Sequence, residues 1–140
     1  MVKAKEIMNA NVITIGRDED ICEAVRAMML NHISGMPVVN EDGSLAGIIT
    51  EKDVLALLGG LGEQAGRVED FMTRKVTCFD QDDELDVIAE TFRQNPFRRV
   101  PILDGDRLVG MVSRRDLIRY INDTILEDQI LKDSILEILF

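Results

Sequence analysis

Short apolar runs alternate along the chain with stretches whose apolar residues recur at helical spacing, and the two halves carry them in the same order. An apolar run between turn residues is typical of a β-strand, and apolar residues three and four positions apart are typical of an amphipathic helix. Each half therefore predicts a strand, a helix, two strands joined by a tight turn, and a second helix. The predicted elements are residues 12–15, 21–29, 36–39, 45–49 and 51–58 in the first half, and 76–79, 85–92, 100–103, 108–112 and 114–121 in the second half.

The two halves are copies of one unit. Pro37 matches Pro101 at an offset of 64 residues, and beyond the predicted hairpin turn Asp53 matches Asp116 at an offset of 63. The single residue is lost within the turn itself, where length changes cost least. The chain is therefore predicted to be a tandem repeat.

A unit of about 60 residues buries too little surface to be stable alone. We expect the two copies to pack about a pseudo-two-fold axis, to share one core, and to leave a cleft lined by equivalent positions. The predicted fold class is α+β, with two β-α-β-β-α repeats and a C-terminal helix. The expected boundaries are 1–58 for the first repeat, 59–66 for a glycine-rich linker, 67–121 for the second repeat and 122–140 for the helix.

Composition and charge exclude several classes of function. The 140 residues carry 16 basic and 26 acidic side chains, a net charge of −10, which disfavours a nucleic-acid-binding surface. Aromatic residues are only 4% of the chain, so base stacking is disfavoured as well. No apolar stretch approaches the ~20 residues of a membrane span. We expect a cytoplasmic protein.

The spacing of the cysteines and of the single histidine indicates neither a catalytic site nor a metal site. Cys22 and Cys78 lack the spacing of zinc ligands, and we expect both to be small buried hydrophobes. His32, the only histidine, follows a predicted helix and is interpreted as structural. With no activated nucleophile and no acid–base pair, we expect no enzymatic activity.

One motif occurs in both copies. Residues 47–53 read Gly-Ile-Ile-Thr-Glu-Lys-Asp, and residues 110–116 read Gly-Met-Val-Ser-Arg-Arg-Asp. A hydroxyl residue followed three positions later by Asp caps a helix N-terminus. The same geometry offers backbone N–H groups to a phosphate and a carboxylate to ribose hydroxyls. Both interpretations stay open from the sequence alone.

Basic residues are concentrated in one segment of this acidic chain. Between Arg93 and Arg119 there are seven arginines and three acids, a net charge of +4. Arg114 and Arg115 lie in the first turn of a predicted helix, where cations are disfavoured, and a bound anion would relieve that cost. Exposed arginines that balance nearby acids are an equal alternative.

At these residues the sequence resembles the CBS-domain pair, or Bateman module, over nearly all of residues 4–121. The resemblance rests on residues 12–15, 34–39 and 47–53 and on their counterparts in the second copy, in the same order and spacing. It implies a non-catalytic regulatory module that binds adenosine-containing ligands (AMP, ADP or ATP, less expectedly S-adenosylmethionine) between the repeats. It also implies a homodimer, an unidentified regulated partner and no required cofactor.

Carried over by position, the resemblance implies a set of ligand-binding residues. The implied contacts to phosphate or ribose are Thr50, Asp53, Arg98, Arg99, Ser113, Arg115 and Asp116. The backbone around Thr14 and Thr77 is implied to flank the adenine together with Met36, Pro37, Val100 and Pro101. The implied ligand-binding set also includes Ile15, Gly35, Lys52 and Cys78. The first copy has Ser34 and Gly35 where the second has two arginines, so the two sites are unequal. The site without arginines is expected to stay empty or to favour fewer phosphates.

The alternative function is a scaffold that dimerises and binds no ligand. The tail after residue 121 lies outside the resemblance, and its apolar pairs recur every five residues, so they wind around a helix. We expect this helix to pack both on the module and on a second subunit.

Overall fold

The computed structural model describes residues 1–59 and 66–139. Most of the expected linker 59–66 lies outside the described residues. The elements of the first repeat are α1 (Ala4–Ile7), β1 (Ile15–Gly16), α2 (Ile21–Asn31), β2 (Gly35–Val39), β3 (Leu45–Thr50) and α3 (Glu51–Val54), the last continued by a 3-10 turn, Leu55–Leu58. Those of the second are α4 (Val68–Phe71), β4 (Phe79–Asp80), α5 (Leu85–Gln94), β5 (Arg99–Asp104), β6 (Arg107–Ser113) and α6 (Arg114–Tyr120). A π-helical segment, Ile121–Leu126, and α7 (Glu127–Leu139) follow.

Each repeat builds a three-stranded sheet, as predicted. β1 pairs in parallel with β2, which pairs antiparallel with β3, and β4, β5 and β6 repeat this order. The hairpin turns contain Gly43 and Gly105, whose φ angles of 86° and 64° favour glycine. The two repeats and the α+β architecture are therefore confirmed, although β1 and β4 are shorter than the predicted strands.

The repeats exchange their leading segments, which the sequence did not predict. The Ala4 N–H donates to the carbonyl of Asp83 in the other repeat (2.9 Å), and the Val68 N–H donates to the carbonyl of Glu19 (2.8 Å). A Lys5–Asp82 ion pair of 2.8 Å also crosses between the repeats, and its hydrogen bond lowers the pKa of Asp82. Equivalent positions make these reciprocal contacts, so α1 packs on the second repeat and α4 on the first.

The exchange produces two cores and corrects the expectation of one shared core. The first cluster joins buried residues of the first repeat to two residues of the second, Val68 and Met72. The second cluster joins the second repeat to Ala4, with Val2, Ile7 and Met8 packed against it. Each hydrophobic cluster is therefore completed by the other repeat, and this interlocking compensates for the small size of a single unit.

The C-terminal helix differs from its expected packing. It continues α6 through the π-helical segment, and its described apolar side chains, including Ile130 and Leu131, are exposed on more than half of their surface. These described side chains therefore do not pack on the module as expected. Among the described residues, no helix is both long and apolar enough to cross a membrane.

The cysteines are less buried than predicted. Cys22 is exposed in the first turn of α2, and Cys78 is half-buried beside β4. The expectation that both are buried is therefore wrong, because Cys22 lies on the outer face of α2, beside its capping residue Asp20. His32 is exposed and ends α2 in the left-handed conformation, with φ 52°, which is a structural role.

Both thiols are expected to react slowly at neutral pH. A hydrogen bond with Asp20 raises the pKa of Cys22, and burial raises the pKa of Cys78, so the thiol form dominates at pH 7 in both. Alkylation by iodoacetamide, followed by peptide mass spectrometry, should be slower than for glutathione at pH 7 and should accelerate toward alkaline pH. Cys78 should be the slower of the two. Alkylation of Cys78 at the glutathione rate at pH 7 would contradict this prediction.

Candidate functional site

A cleft of about 650 Å³ lies between the two repeats. The first repeat contributes one wall, from the start of β2 and the junction of β3 with α3, and the second contributes residues 73, 75–77, 96–99 and 101. This volume is within the usual range for small-molecule sites, about 300–1,000 Å³. The predicted site residues that line it are Gly35, Thr50, Lys52, Thr77, Arg98, Arg99 and Pro101.

The strand register brings the first-repeat wall together. Gly35 at the start of β2 pairs with Thr50 at the end of β3, so both lie at the same edge of the sheet. A Cβ on Gly35 would lie 3.0 Å from the carbonyl oxygen of Ile49 and 3.2 Å from the Thr50 side chain. Glycine therefore lets the two strands approach closely where they meet the cleft.

The paired Thr/Ser-x-x-Asp motifs cap helices. Asp53 Oδ2 accepts hydrogen bonds from the Thr50 N–H (2.9 Å) and hydroxyl (3.0 Å), and Asp53 Oδ1 accepts one from the Thr73 hydroxyl (3.1 Å). Asp116 accepts from the Ser113 N–H (2.8 Å) in the same arrangement. The capping interpretation is therefore confirmed. The ribose-binding role of both aspartates stays a prediction, and neither lines the cleft.

Cations dominate the polar lining of the cleft. The charged side chains of the lining, in the part of the chain that the structure describes, are Lys52, Lys75, Arg98 and Arg99 and a single acid, Glu51. None of the four cations forms an ion pair within the part of the chain that the structure describes. The Arg99 guanidinium instead donates to the Ser34 hydroxyl across the cleft, at 3.5 Å.

Arg114 has a structural role in the basic segment. Its guanidinium donates to the carbonyls of Phe97 (2.6 Å), Asn95 (2.7 Å) and Phe92 (3.1 Å), and lies 5.9 Å from the centre of the Phe92 ring. These carbonyls follow and end α5, so the cation stabilises the C-terminal end of that helix. The expected anion is therefore not needed to relieve Arg114. Arg115 is exposed and does not line the cleft.

The other predicted site residues lie outside this cleft. Some belong to the hydrophobic clusters or to buried strand positions: Ile15, Met36, Pro37 and Val100. The others outside it are Thr14, Asp53, Cys78, Ser113, Arg115 and Asp116. Sequence reasoning also missed lining residues, of which Thr73 and Lys75 contribute polar groups. A comparison of the copies did not single out Lys75, because Asn11 occupies the equivalent position in the first copy.

Comparison with known proteins identifies the family. A sequence profile described as "CBS domain" matches the chain twice, over residues 4–60 and 68–123. Protein MJ1225 of Methanocaldococcus jannaschii, an uncharacterized protein, is 35% identical over 115 residues. These residues are 82% of this chain but 41% of that protein, so the chain spans less than half of this relative.

Two crystal structures share the fold over most of their length. The CBS domain pair of protein MJ0100, in complex with 5′-methylthioadenosine and S-adenosyl-L-methionine, superposes with a TM-score of 0.74 at 29% identity, covering 88% of this chain and 98% of that one. Hypoxic response protein 1 of Mycobacterium tuberculosis, solved with two coordinated zinc ions, gives a TM-score of 0.76 at 27% identity, covering 86% and 99%.

Among the described residues of this chain, no group of three or more His, Cys, Asp or Glu side chains is arranged so that it could hold a metal ion. The tandem sheets, the cleft between them and the two profile matches agree on one assignment. The chain belongs to the CBS-domain family, and it consists of a pair of CBS repeats followed by a C-terminal helix.

Proposed function

We propose that this CBS pair is a non-catalytic regulatory module that binds an adenosine-containing ligand in the cleft between its repeats. The observation that carries the proposal is a cavity of about 650 Å³ whose walls come from both repeats. A CBS pair at 29% identity was crystallised with two adenosine-containing ligands, which supports the same ligand class here.

The lining offers both kinds of contact that an adenosine ligand needs. Ile48, Val76, Phe97 and Pro101 supply apolar surface for the purine ring. The hydroxyls of the lining threonines and the four cations supply hydrogen bonds for ribose and phosphate. Ribose binding at Asp53 would require the Thr73 hydroxyl to release Asp53 Oδ1.

Regulation follows from the composition of the walls. Because the ligand would contact both repeats, binding would favour the relative orientation of the repeats in which both walls of the cleft touch the ligand. A partner protein that recognises this orientation would respond to the ligand. The described residues that line the cleft include no Cys, His or Asp, so we propose no catalytic step there.

Filling the cleft tests the proposal. Thr77 is an exposed lining residue, so Thr77→Trp should place an indole in the cleft while leaving both cores intact. We expect AMP or 5′-methylthioadenosine to bind the full chain in calorimetric titration, and the variant to lose at least about tenfold in affinity, or 1.4 kcal/mol.

The internal repeat supplies the matched control. Ile13 is equivalent to Thr77, is 40% exposed and does not line this cleft, so Ile13→Trp should preserve binding there. Unchanged melting temperatures would show that both variants fold. Equal ligand affinity of Thr77→Trp and the parent chain would reject the proposed site.

A ligand-free dimerisation scaffold is the second candidate. Leu55 and Ile118 occupy equivalent positions in the two repeats and are 61% and 64% exposed, and Leu58 and Ile121 are a second such exposed pair. Such paired apolar surface favours association with another protein surface. Absence of heat and of a thermal shift with AMP, ADP, ATP, 5′-methylthioadenosine and S-adenosylmethionine would favour the scaffold over the ligand-binding module.

A further inference from the structure

We propose that this cleft selects adenine nucleotides with two or three phosphates over AMP, and rejects S-adenosylmethionine. The inference rests on the proposed function, because it concerns which adenosine ligand the same cleft prefers. It depends on the charges of the side chains that line the cleft, which membership of the CBS-domain family does not determine.

The described residues of the lining carry a net charge of about +3 at neutral pH, from Lys52, Lys75, Arg98 and Arg99 against Glu51. These cations have no carboxylate partner among the described residues, so their mutual repulsion is not offset by the protein. A phosphate monoester carries about two negative charges at pH 7, and each further phosphate adds at least about one. AMP therefore leaves about one positive charge of the lining without a counter-charge, whereas a diphosphate or a triphosphate carries enough negative charge for all of it.

The cations stand on both walls of the cleft. Lys52 follows β3 in the first repeat, while Lys75 precedes β4 and the two arginines lie at the start of β5 in the second. Arg99 is half-buried, and among the described residues its guanidinium has one hydrogen-bond partner, the neutral hydroxyl of Ser34 at 3.5 Å. Its guanidinium is therefore available for a stronger, charge-assisted bond to a phosphate oxygen.

The internal repeat shows that the four lining cations are not repeated at the equivalent positions of the two copies. The positions equivalent to Lys52, Lys75, Arg98 and Arg99 are occupied by Arg115, Asn11, Ser34 and Gly35. Only one of these four is a cation. The cationic lining therefore depends on residues particular to each copy, and the repeated motif alone does not supply it.

The same lining disfavours a sulfonium ligand. S-adenosylmethionine places a positively charged sulfur where a nucleotide carries its first phosphate. Unpaired cations around it would repel that charge, and the repulsion grows in a cleft partly shielded from water. The ligand that we expect here therefore differs from the two with which the MJ0100 pair was crystallised, 5′-methylthioadenosine and S-adenosylmethionine.

Calorimetric titration of the full chain with AMP, ADP, ATP and S-adenosylmethionine tests the inference, without divalent metal so that the ligand charge is not masked. We expect ADP and ATP to bind at least tenfold more tightly than AMP, and S-adenosylmethionine to bind most weakly. Raising the salt concentration should narrow the ADP-to-AMP ratio, because screening weakens charge contacts.

Two variants separate charge from folding. Lys75→Gln should reduce the ADP-to-AMP affinity ratio at least threefold, with a smaller loss for AMP itself. Arg93→Gln also removes one cation, but Arg93 is paired with Glu90 and does not line the cleft, so this variant should leave the ratio unchanged.

Equal affinities for AMP, ADP and ATP would overturn the polyphosphate preference and leave the proposed function standing, as would a preference for S-adenosylmethionine. If Lys75→Gln leaves the ratio unchanged, the assignment of the preference to this charge cluster is wrong. Absence of binding by every adenosine ligand would instead remove the proposed function, and this inference with it.

Discussion

Replacing Val68 by aspartate is expected to destabilise the packing of the first repeat, although Val68 belongs to the second repeat along the chain. Val68 is fully buried in the first-repeat cluster, through the exchanged helix α4. A carboxylate there would have no charge partner in an apolar environment, so we expect the free energy of unfolding to decrease by about 4 kcal/mol. The same substitution at Val87, which is 52% exposed on α5, should cost less than about 1 kcal/mol.

Hydrogen exchange measured by mass spectrometry locates the effect. In the Val68→Asp variant, amides of α2 and of the β2–β3 hairpin should exchange faster than those of α5, because local opening begins where the packing is lost. Ala4→Asp should produce the reverse pattern, since Ala4 is fully buried in the second-repeat cluster. Faster exchange confined to residues 85–113 in Val68→Asp would contradict the exchange of segments.

The elements that the sequence predicted well depend on contacts close along the chain. The β2–β3 and β5–β6 hairpins follow from apolar runs on either side of turns that contain Gly43 and Gly105. The duplication was visible because equivalent residues keep a nearly constant offset. β1 was predicted too long because only Ile15 and Gly16 pair with β2, whereas the exposed Ile13 and Thr14 precede the ladder.

The exchanged segments could not be predicted in the same way. α1 and α4 have four residues each, which is too short for a helical period to be detected. Self-similarity shows that Ala4 and Val68 are equivalent, but it does not show on which repeat either one packs. That choice depends on contacts such as Val68 with Glu19, which are far apart along the chain.

The candidate site was predictable where both copies share a motif. Thr50 was identified from a motif that occurs in both copies, and it lines the cleft. Lys75 occurs in one copy only, so a search for paired positions overlooks it. Arg114 was interpreted through the helix dipole alone, because the carbonyls that it contacts at the end of α5 are brought to it only by the fold.

Gly47→Ala is expected to lower the free energy of unfolding nearly as much as Val68→Asp, for a different physical reason. A Cβ on Gly47 would lie 2.6 Å from the carbonyl oxygen of Thr73 and 3.0 Å from Sδ of Met72. The carbonyl belongs to a backbone pair, in which the Ile48 N–H donates to Thr73 (2.9 Å) and the Thr73 N–H donates back (2.8 Å). The added methyl group must therefore displace the exchanged segment, at a cost of about 3 kcal/mol.

The equivalent glycine in the second repeat supplies a graded comparison. A Cβ on Gly110 would approach mainly the side chain of Met8, with Sδ at 2.5 Å and the Asn9 carbonyl at 3.1 Å. A flexible thioether can rotate away, so Gly110→Ala should cost less than Gly47→Ala. Gly16→Ala should cost least, because its Cβ would meet only the side chains of Asp18 and Glu19, at 3.3 Å or more.

Chemical denaturation of the three variants should therefore rank their losses of stability as Gly47→Ala, then Gly110→Ala, then Gly16→Ala. The melting temperature of Gly47→Ala should fall by about 10 °C. Thr73 and Lys75 line the cleft beside the displaced segment, so this variant should also lose affinity for its ligand. Equal stability of Gly47→Ala and Gly16→Ala would mean that residues 72–73 do not lie against β3, and the cleft would then lack the wall that both proposals require.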